Sequence, residues 1–215
     1  MNTKKLLFVF IPALILAGFV FFLQVLRYEP LFPKDETKPD TENFTIPIGL
    51  DDPVVGLKRA GKVIVAFEDY SCASCSNYDG IFTQLVAKYP TAVKIVWKGL
   101  PVTKFPYPSE PAIIYGYCAQ QQNKFAEFKA QAFAFSDQLS ETMLKTIATN
   151  VGLNPEELQT CADSEGAAAH LTQNKTIASI LNIQAVPTFF INNKQAEVAP
   201  TLEAWEQALG FTVAP

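Results

Sequence analysis

The 215-residue sequence contains a single histidine and only four cysteines, and its acidic residues outnumber its basic ones. A metal centre built on several histidines is therefore excluded. The net charge of −4 at pH 7 does not favour a protein that binds nucleic acid by neutralising phosphates, because that mode needs a basic excess. With 49% hydrophobic and 18% charged residues, the chain is too apolar for a disordered protein and is predicted to fold around a core.

Hydrophobic residues are concentrated in one run near the N-terminus. Residues 6–26 form a nearly continuous apolar stretch, and about 20 residues are enough to cross a bilayer. Two lysines precede the run, so the positive-inside rule places residues 1–5 in the cytoplasm and everything after Arg27 outside. The sequence predicts a single-pass membrane anchor at residues 6–26. A cleaved secretory signal is the alternative, although no small-x-small cleavage site follows the run cleanly.

The next part of the chain is predicted to alternate between strand and helix. Residues 27–43 hold three prolines among charges, which indicates an extended linker, and the first folded segment is expected at Phe44–Gly49. Lys62–Phe67 is a short apolar run, typical of a central parallel strand covered on both faces. A helix follows until Pro90, and Val93–Trp97 is again strand-like.

From Ser109 to Leu181 the pattern changes to five successive helices. These are predicted at Pro111–Gln121, Lys124–Phe135, Ser140–Val151, after the capping residue Asn154, and at Gly166–Leu181. A hairpin with strands Thr188–Ile191 and Gln195–Val198 and a last helix carrying Trp205 complete the chain. The sequence therefore predicts an α/β domain formed by residues 44–108 and 182–215, into which an all-helical domain, residues 109–181, is inserted.

Cys72 and Cys75 follow the first predicted strand directly, at the start of a helix. Free N–H groups and the helix dipole at this position favour an anion and lower the pKa of a thiol, so Cys72 is expected to be partly thiolate. Cys75 is placed to attack a mixed disulfide on Cys72. Half of a zinc site and a purely structural bridge are the alternatives, but further zinc ligands lie at distant spacings and so short a loop gains little from a bridge.

A second motif, Val186-Pro187-Thr188, stands directly before a predicted strand. A proline at the start of a strand can be an ordinary edge residue. In chain order, however, the strand, Cys-x-x-Cys, helix, strand, helical insertion, Val-Pro-Thr and hairpin resemble the DsbA-type branch of the thioredoxin superfamily, especially its membrane-tethered bacterial members. The resemblance covers residues 44–211.

This resemblance implies a thioredoxin fold in which Pro187 is cis and its loop lies against Cys72, where loop backbone groups bind a substrate chain. It implies Cys72 as the nucleophile and Cys75 as the resolving thiol, with neither cofactor nor metal. Strong oxidants of this family often carry Pro-His between the cysteines. This chain has Ala73-Ser74, so we expect a milder oxidant in which Ser74 supplies at most a hydroxyl donor.

A second departure from the family concerns the proton acceptor of the resolving thiol. Many members carry a buried carboxylate six residues before the nucleophile, and here that position is Ala66. Glu68 and Asp69, at the C-terminal end of the predicted strand, are candidate substitutes. The alternative is that both are solvated loop acids.

Cys118 and Cys161 are predicted to form a structural disulfide, because the cysteine count is even, the exported compartment is oxidising, and some relatives have a similar second bridge. Closing this loop would contribute about 4 kcal/mol in the chain-entropy model. Two buried free thiols and a redox relay with the first pair are the alternatives.

The remaining singled-out residues are aromatic or titratable side chains of the folded part. His170 is expected to be a helix-surface or partly buried histidine, and most of the 17 phenylalanines are expected in the core. Tyr70, Phe105 or Tyr107, if exposed near the nucleophile, could form an apolar surface that meets unfolded substrates.

Taken together, these features predict an extracytoplasmic, membrane-anchored thiol-disulfide oxidoreductase that donates the Cys72–Cys75 disulfide to reduced exported proteins. It is expected to be a monomer, and its reoxidation would need a membrane partner of the DsbB or vitamin K epoxide reductase type. A membrane-tethered reductase or isomerase is the nearest alternative. A non-catalytic chaperone or binding module with the same fold is a further one.

Overall fold

The computed structural model describes residues 17–20, 22 and 44–211. Residues 17–20 and 22 are helical and belong to a separate unit formed by residues 1–39. None of the helices in the described residues is both long enough and apolar enough to be a membrane span. The predicted cytoplasmic terminus, anchor and linker lie wholly or mostly outside the described residues, and they stay predictions: 1–5, 6–26 and 27–43.

The second unit contains five strands and seven helices within residues 44–211. The strands are β1 (Val54–Gly56), β2 (Lys62–Glu68), β3 (Val93–Gly99), β4 (Thr188–Ile191) and β5 (Lys194–Ala196). The helices are α1 (Ala73–Lys88), α2 (Glu110–Gln121), α3 (Phe125–Ala134), α4 (Glu141–Asn150), α5 (Pro155–Ala162), α6 (Glu165–Ile180) and α7 (Leu202–Ala208). Helices α2 to α6 thus all lie between β3 and β4 in the chain.

The strands form one mixed sheet in the order β1-β3-β2-β4-β5. The central strand β2 is parallel to β3 and antiparallel to β4, so that Ile64 lies opposite Ile95 on one side and Ile191 on the other. The edge strands β1 and β5 are both antiparallel to their neighbours. The apolar run of β2 therefore correctly predicts a central strand with a parallel neighbour, because both of its faces are covered.

Successive residues of β2 point to opposite faces of the sheet. Ile64 and Ala66 pack with residues of α1 and α7, and Val65 and Phe67 pack with residues of α6. The core of the helical insertion reaches the sheet at Trp97 of β3. Burial on both faces holds β2 firmly, and this fixes the position of the loop that follows it.

The structure adds detail to the predictions for three short segments. Phe44–Gly49 contains no helix or strand, although Ile46 is buried and its N–H donates to Asn193 Oδ1 at 3.1 Å. The sequence does not predict β1, because three residues are too few to show an alternating pattern. The last strand, β5, begins and ends earlier than predicted. The turn at Asn192 and Asn193, with φ of 52° and 63°, is so tight that Lys194, the residue directly after it, already pairs with Ile191 of β4.

Candidate active site

Cys72 is the N-cap residue of α1, at the end of the loop that leaves β2. Its backbone is extended, and its Sγ accepts a hydrogen bond from the N–H of Cys75 at 3.2 Å. The two cysteines form a disulfide in which Cys72 is partly exposed and Cys75 is fully buried. When the disulfide is reduced, Cys72 is the sulfur that better carries a negative charge, because the free N–H groups of the helix terminus point at it.

Ser74 provides a second polar contact to the same sulfur. Its Oγ lies 3.1 Å from Cys72 Sγ, and its side chain is exposed to solvent. A thiolate can only accept hydrogen bonds, so in the reduced protein the hydroxyl of Ser74 would be the donor. The structure therefore places the Ser74 hydroxyl where it can donate a hydrogen bond to Cys72 Sγ, the role that the sequence analysis allows it.

The loop before β4 lies against Cys72. The carbonyl oxygen of Val186 is 3.7 Å from Cys72 Sγ, and the peptide bond between Val186 and Pro187 is cis. Thr188 begins β4, and its Oγ1 donates to the carbonyl of Ala185 at 2.7 Å. All three residues of the Val-Pro-Thr motif are partly exposed, so this loop meets solvent beside Cys72.

Glu68, the last residue of β2, is fully buried, so the interpretation as a solvated loop acid is wrong for it. Lys129 of α3 lies 3.4 Å from Glu68 Oε2 and 2.6 Å from Asp79 Oδ1, which joins the three side chains in one cluster. Burial raises the pKa of Glu68; the positive charge of Lys129 opposes this effect and the negative charge of Asp79 adds to it. Asp79 is four residues after Cys75, so the cluster lies about one helical turn from the buried sulfur.

Asp69 is also fully buried, and the solvated interpretation is wrong here as well. Its Oδ2 accepts hydrogen bonds from the N–H groups of Val102 and Thr103, both at 2.9 Å, and from Ser109 Oγ at 2.7 Å. Its Oδ1 accepts one from the N–H of Ser71 at 2.9 Å. These four donors fix the loop between β3 and α2 to the turn that leads into α1.

Of the three aromatic residues expected near the nucleophile, Tyr70 is fully buried. Its ring stacks on Trp97 with the centroids 4.6 Å apart, so Tyr70 does not meet the condition of exposure and forms no part of an apolar surface. Phe105 and Tyr107 are exposed. The exposed members of this set therefore belong to the loop after β3 and not to the loop that carries the cysteines.

Cys118 and Cys161 form a second disulfide, which joins α2 to α5. Cys118 is fully buried and Cys161 is partly buried. Since all four cysteines are paired in disulfides, no free thiol remains. Among the described residues, no group of three or more His, Cys, Asp or Glu side chains is arranged to hold a metal ion.

A buried charged cluster that the sequence does not reveal holds the segment before β1. The carboxylate of Asp52 lies 2.7 Å from Lys98 Nζ and 3.0 Å from Nε2 of His170, which is partly buried as expected. Burial alone would raise the pKa of Asp52, but the hydrogen bond with His170 and the charge of Lys98 outweigh it and hold that pKa below its usual range. A loop aspartate and a strand lysine give no sequence signal of burial.

Two kinds of curated protein are similar to this chain in sequence. A Rickettsia prowazekii protein named as a protein-disulfide oxidoreductase is 27% identical over 176 residues, which cover 76% of this chain and 63% of that protein. The Na⁺/H⁺ antiporter NhaA 3 of Salinispora tropica is 25% identical over 168 residues, which cover 78% of this chain but 26% of the antiporter. The chain thus spans less than two thirds of the length of either relative.

Solved structures share the fold. A thioredoxin-like oxidoreductase from Silicibacter pomeroyi superposes with a TM-score of 0.67 at 25% identity, over 75% of this chain and 91% of that one. Oxidised BdbD from Bacillus subtilis superposes with a TM-score of 0.61 at 22% identity, over 74% and 91% of the two chains. The predicted thioredoxin-like α/β fold is confirmed. Residues 50–210 match the family model described as Thioredoxin, and the chain belongs to the thioredoxin family.

Proposed function

We propose that the chain is a DsbA-type protein thiol-disulfide oxidoreductase that donates the Cys72–Cys75 disulfide to reduced exported proteins. The observation that carries the proposal is the unequal exposure of the two sulfurs, since Cys72 is accessible at the N-terminus of α1 and Cys75 is fully buried. An incoming thiolate can therefore reach Cys72 alone. The thioredoxin fold and the names of the Rickettsia and Silicibacter relatives support the same activity.

The reaction proceeds in two exchanges. A substrate thiolate attacks Cys72 Sγ, the bond between Cys72 and Cys75 breaks, and Cys75 leaves with the electron pair. A second substrate thiolate then attacks the substrate sulfur of the mixed disulfide and releases Cys72 as a thiolate. The substrate has lost two electrons and gained a disulfide, and the enzyme holds two reduced cysteines. Backbone groups of Val186, Pro187 and Thr188 bind the substrate chain beside Cys72.

Glu68 supplies the proton that the departing Cys75 needs. A thiolate formed in a fully buried position is unfavourable, so a nearby acid is required. Burial raises the pKa of Glu68, which keeps its carboxyl protonated to a higher pH. Apart from the ion-pair contact of Oε2 with Lys129, neither oxygen of Glu68 has a hydrogen-bond partner among the described residues, whereas the carboxylate of Asp69 accepts from four donors. We therefore assign the proton role to Glu68 and not to Asp69.

The role of Glu68 is tested by Glu68→Gln, with Glu127→Gln as a matched control of the same charge on the surface of α3. The rate of disulfide exchange with a small dithiol is measured from pH 5 to 9. In wild type the rate should fall as the pH rises and Glu68 loses its proton. The Glu68→Gln variant should lose this limb of the pH profile, while the control should keep the wild-type profile. Superimposable profiles for wild type and Glu68→Gln would refute the role.

The proposal includes location and partners. Residues 6–26 anchor the protein in the membrane with residues 1–5 in the cytoplasm, and residues 27–43 hold a monomeric catalytic domain outside. The long apolar run and its preceding lysines support this topology. Reoxidation comes from a quinone-linked membrane protein of the DsbB or vitamin K epoxide reductase type. The anchor is tested by extracting membranes at alkaline pH. If residues 6–26 span the membrane, the full chain should stay in the membrane fraction.

The activity itself is tested with the oxidised protein and a reduced, unfolded substrate. Wild type should form substrate disulfides, and Cys72→Ser should form none. Cys75→Ser should also form none, because it has no Cys72–Cys75 disulfide to donate. With an oxidised substrate, however, the Cys72 thiolate of this variant should attack the substrate disulfide and accumulate as a mixed disulfide, since Cys75 is absent and cannot resolve it. A variant with Cys118 and Cys161 both replaced by alanine serves as the control, and it should keep the activity. Disulfide formation by Cys72→Ser at the wild-type rate would overturn the proposed function.

A further inference from the structure

One charged cluster joins the helical insertion to the rest of the fold. Glu68 ends β2 and Asp79 lies in α1, whereas Lys129 lies in α3 of the insertion. Lys129 Nζ is 2.6 Å from Asp79 Oδ1 and 3.4 Å from Glu68 Oε2. A single lysine of the insertion therefore contacts two acids that come before the insertion in the chain.

Lys129 is held in this place by Asp79. The side chain of Lys129 is only 2% exposed, and its Nζ lies 4.9 Å from the ring centroid of Phe133. A buried ammonium group needs a negative partner, because its removal from water is costly. Asp79 provides the short contact, and it also lines an open crevice of about 430 Å³ between α1 and α3. Asp79 is thus the member of the cluster that reaches water, while Glu68 is sealed from it.

The cluster lies close to the sulfur that leaves in the proposed reaction. Cys75 belongs to the same apolar core as Phe128 and Phe133, which are neighbours of Lys129 on α3. Asp79 follows Cys75 by four residues on α1, and side chains at this spacing are about 5–6 Å apart on one helix face. The helix that carries Lys129 therefore packs in the core that surrounds the buried sulfur.

The charges around Glu68 act in opposite directions. Burial raises the pKa of Glu68, the positive charge of Lys129 lowers it, and the negative charge of Asp79 raises it further. Two other titratable groups lie near this cluster. Burial raises the pKa of Tyr70 well above its usual value, so its hydroxyl stays neutral near pH 7. The carboxylate of Asp69 is held by its own four donors.

We propose that Lys129 is a positioning residue for the proton of Glu68, so that the helical insertion sets the pH range in which the protein donates its disulfide. The inference rests on the proposed function, in which Glu68 gives its proton to the departing Cys75. Cys75 then holds the proton, and the new carboxylate of Glu68 is stabilised by the ammonium group of Lys129. When Cys75 is reoxidised, its thiol returns the proton to this carboxylate.

The test removes the two charges one at a time. The rate of disulfide exchange between the full chain and a small dithiol is measured from pH 5 to 9, and the midpoint of the limb that Glu68→Gln abolishes is read. Lys129→Met should move this midpoint up by about one unit or more, because an opposite charge a few ångströms away lowers a carboxyl pKa by about 1–3 units. Asp79→Asn should move it down, since a like charge is lost and Lys129 then pairs with Glu68 alone.

Matched variants control for the loss of charge elsewhere. Lys145→Met, on the surface of α4, and Asp137→Asn, exposed after α3, should keep the wild-type midpoint. Lys129→Arg keeps the positive charge and should also stay near it. Urea unfolding checks that each variant is folded. If Lys129→Met does not fold, its combination with Asp79→Asn removes both charges together, and the midpoint should then lie above that of Asp79→Asn alone.

The possible results separate this inference from the proposed function. Midpoints that do not move in Lys129→Met and Asp79→Asn, or that move in the same direction, refute the role of Lys129 while disulfide exchange stands. A shift in Lys145→Met as large as that in Lys129→Met refutes it as well. If wild type does not exchange disulfides with the dithiol at any pH, the proposed function itself fails.

Discussion

Replacing Ser74 by alanine should raise the pKa of the reduced Cys72 thiol and make the disulfide less oxidising. The Oγ of Ser74 lies 3.1 Å from Cys72 Sγ, and a hydrogen bond to a charged group contributes about 1.5–3 kcal/mol. Because Ser74 is exposed and water competes, we take about 1 kcal/mol, which corresponds to a pKa rise of about 0.7 unit. The same energy stabilises the reduced form, so its loss lowers the reduction potential by about 20 mV.

The assay follows thiolate absorbance near 240 nm against pH, together with equilibration in glutathione buffers. Ser76→Ala is the control, since it deletes the same hydroxyl two residues further along α1 without a side-chain contact to the sulfur. A shift in Ser74→Ala no larger than that in the control would refute the argument that the hydroxyl stabilises the thiolate.

Three further predictions concern stability, all measured by urea unfolding. Asp52→Asn should lower the free energy of unfolding by about 3–5 kcal/mol, because Lys98 stays buried without its partner. Since the pKa of Asp52 is held below its usual range, this stabilisation is present above about pH 3.9 and is lost as the pH falls through the lowered pKa. A difference between wild type and variant that does not shrink on acidification would contradict it. Replacing Cys118 and Cys161 by alanine should cost about 4 kcal/mol, and no loss of stability would argue against a structural bridge. The raised pKa of Glu68 means that stability falls as the pH rises through that pKa, so Glu68→Gln should remove this fall, and an unchanged slope would speak against it.

Most of the fold is predictable from the sequence because its hydrophobic periods are clear. The apolar run at Lys62–Phe67 predicts the central strand, and a polar cap followed by proline predicts the start of α5 at Asn154, whose side chain accepts from two N–H groups of the first turn. Helix boundaries agree within about two residues, as such patterns allow. β1 escapes prediction because three residues carry no period.

Part of the site is predictable for a different reason. Cys72, Cys75 and Pro187 are identified by motifs whose members are close in sequence, so local spacing is enough. The burial of Glu68 is not predictable from the sequence. It depends on Lys129, which lies in helix α3 of the insertion, far from Glu68 along the chain. The same holds for Asp69, whose partner Ser109 is brought near only when the sheet has formed.

The reduction potential of the Cys72–Cys75 pair tests the central claim most directly. The catalytic domain is equilibrated in glutathione buffers, and the fraction of reduced protein is read at each ratio. For this two-electron couple, 30 mV corresponds to about 1.4 kcal/mol, so the measured potential clearly separates a disulfide donor from a disulfide reductase. We predict a value between about −120 and −180 mV, as for a disulfide donor, and a value near −270 mV would contradict the account and indicate a reductase supplied with electrons from the membrane.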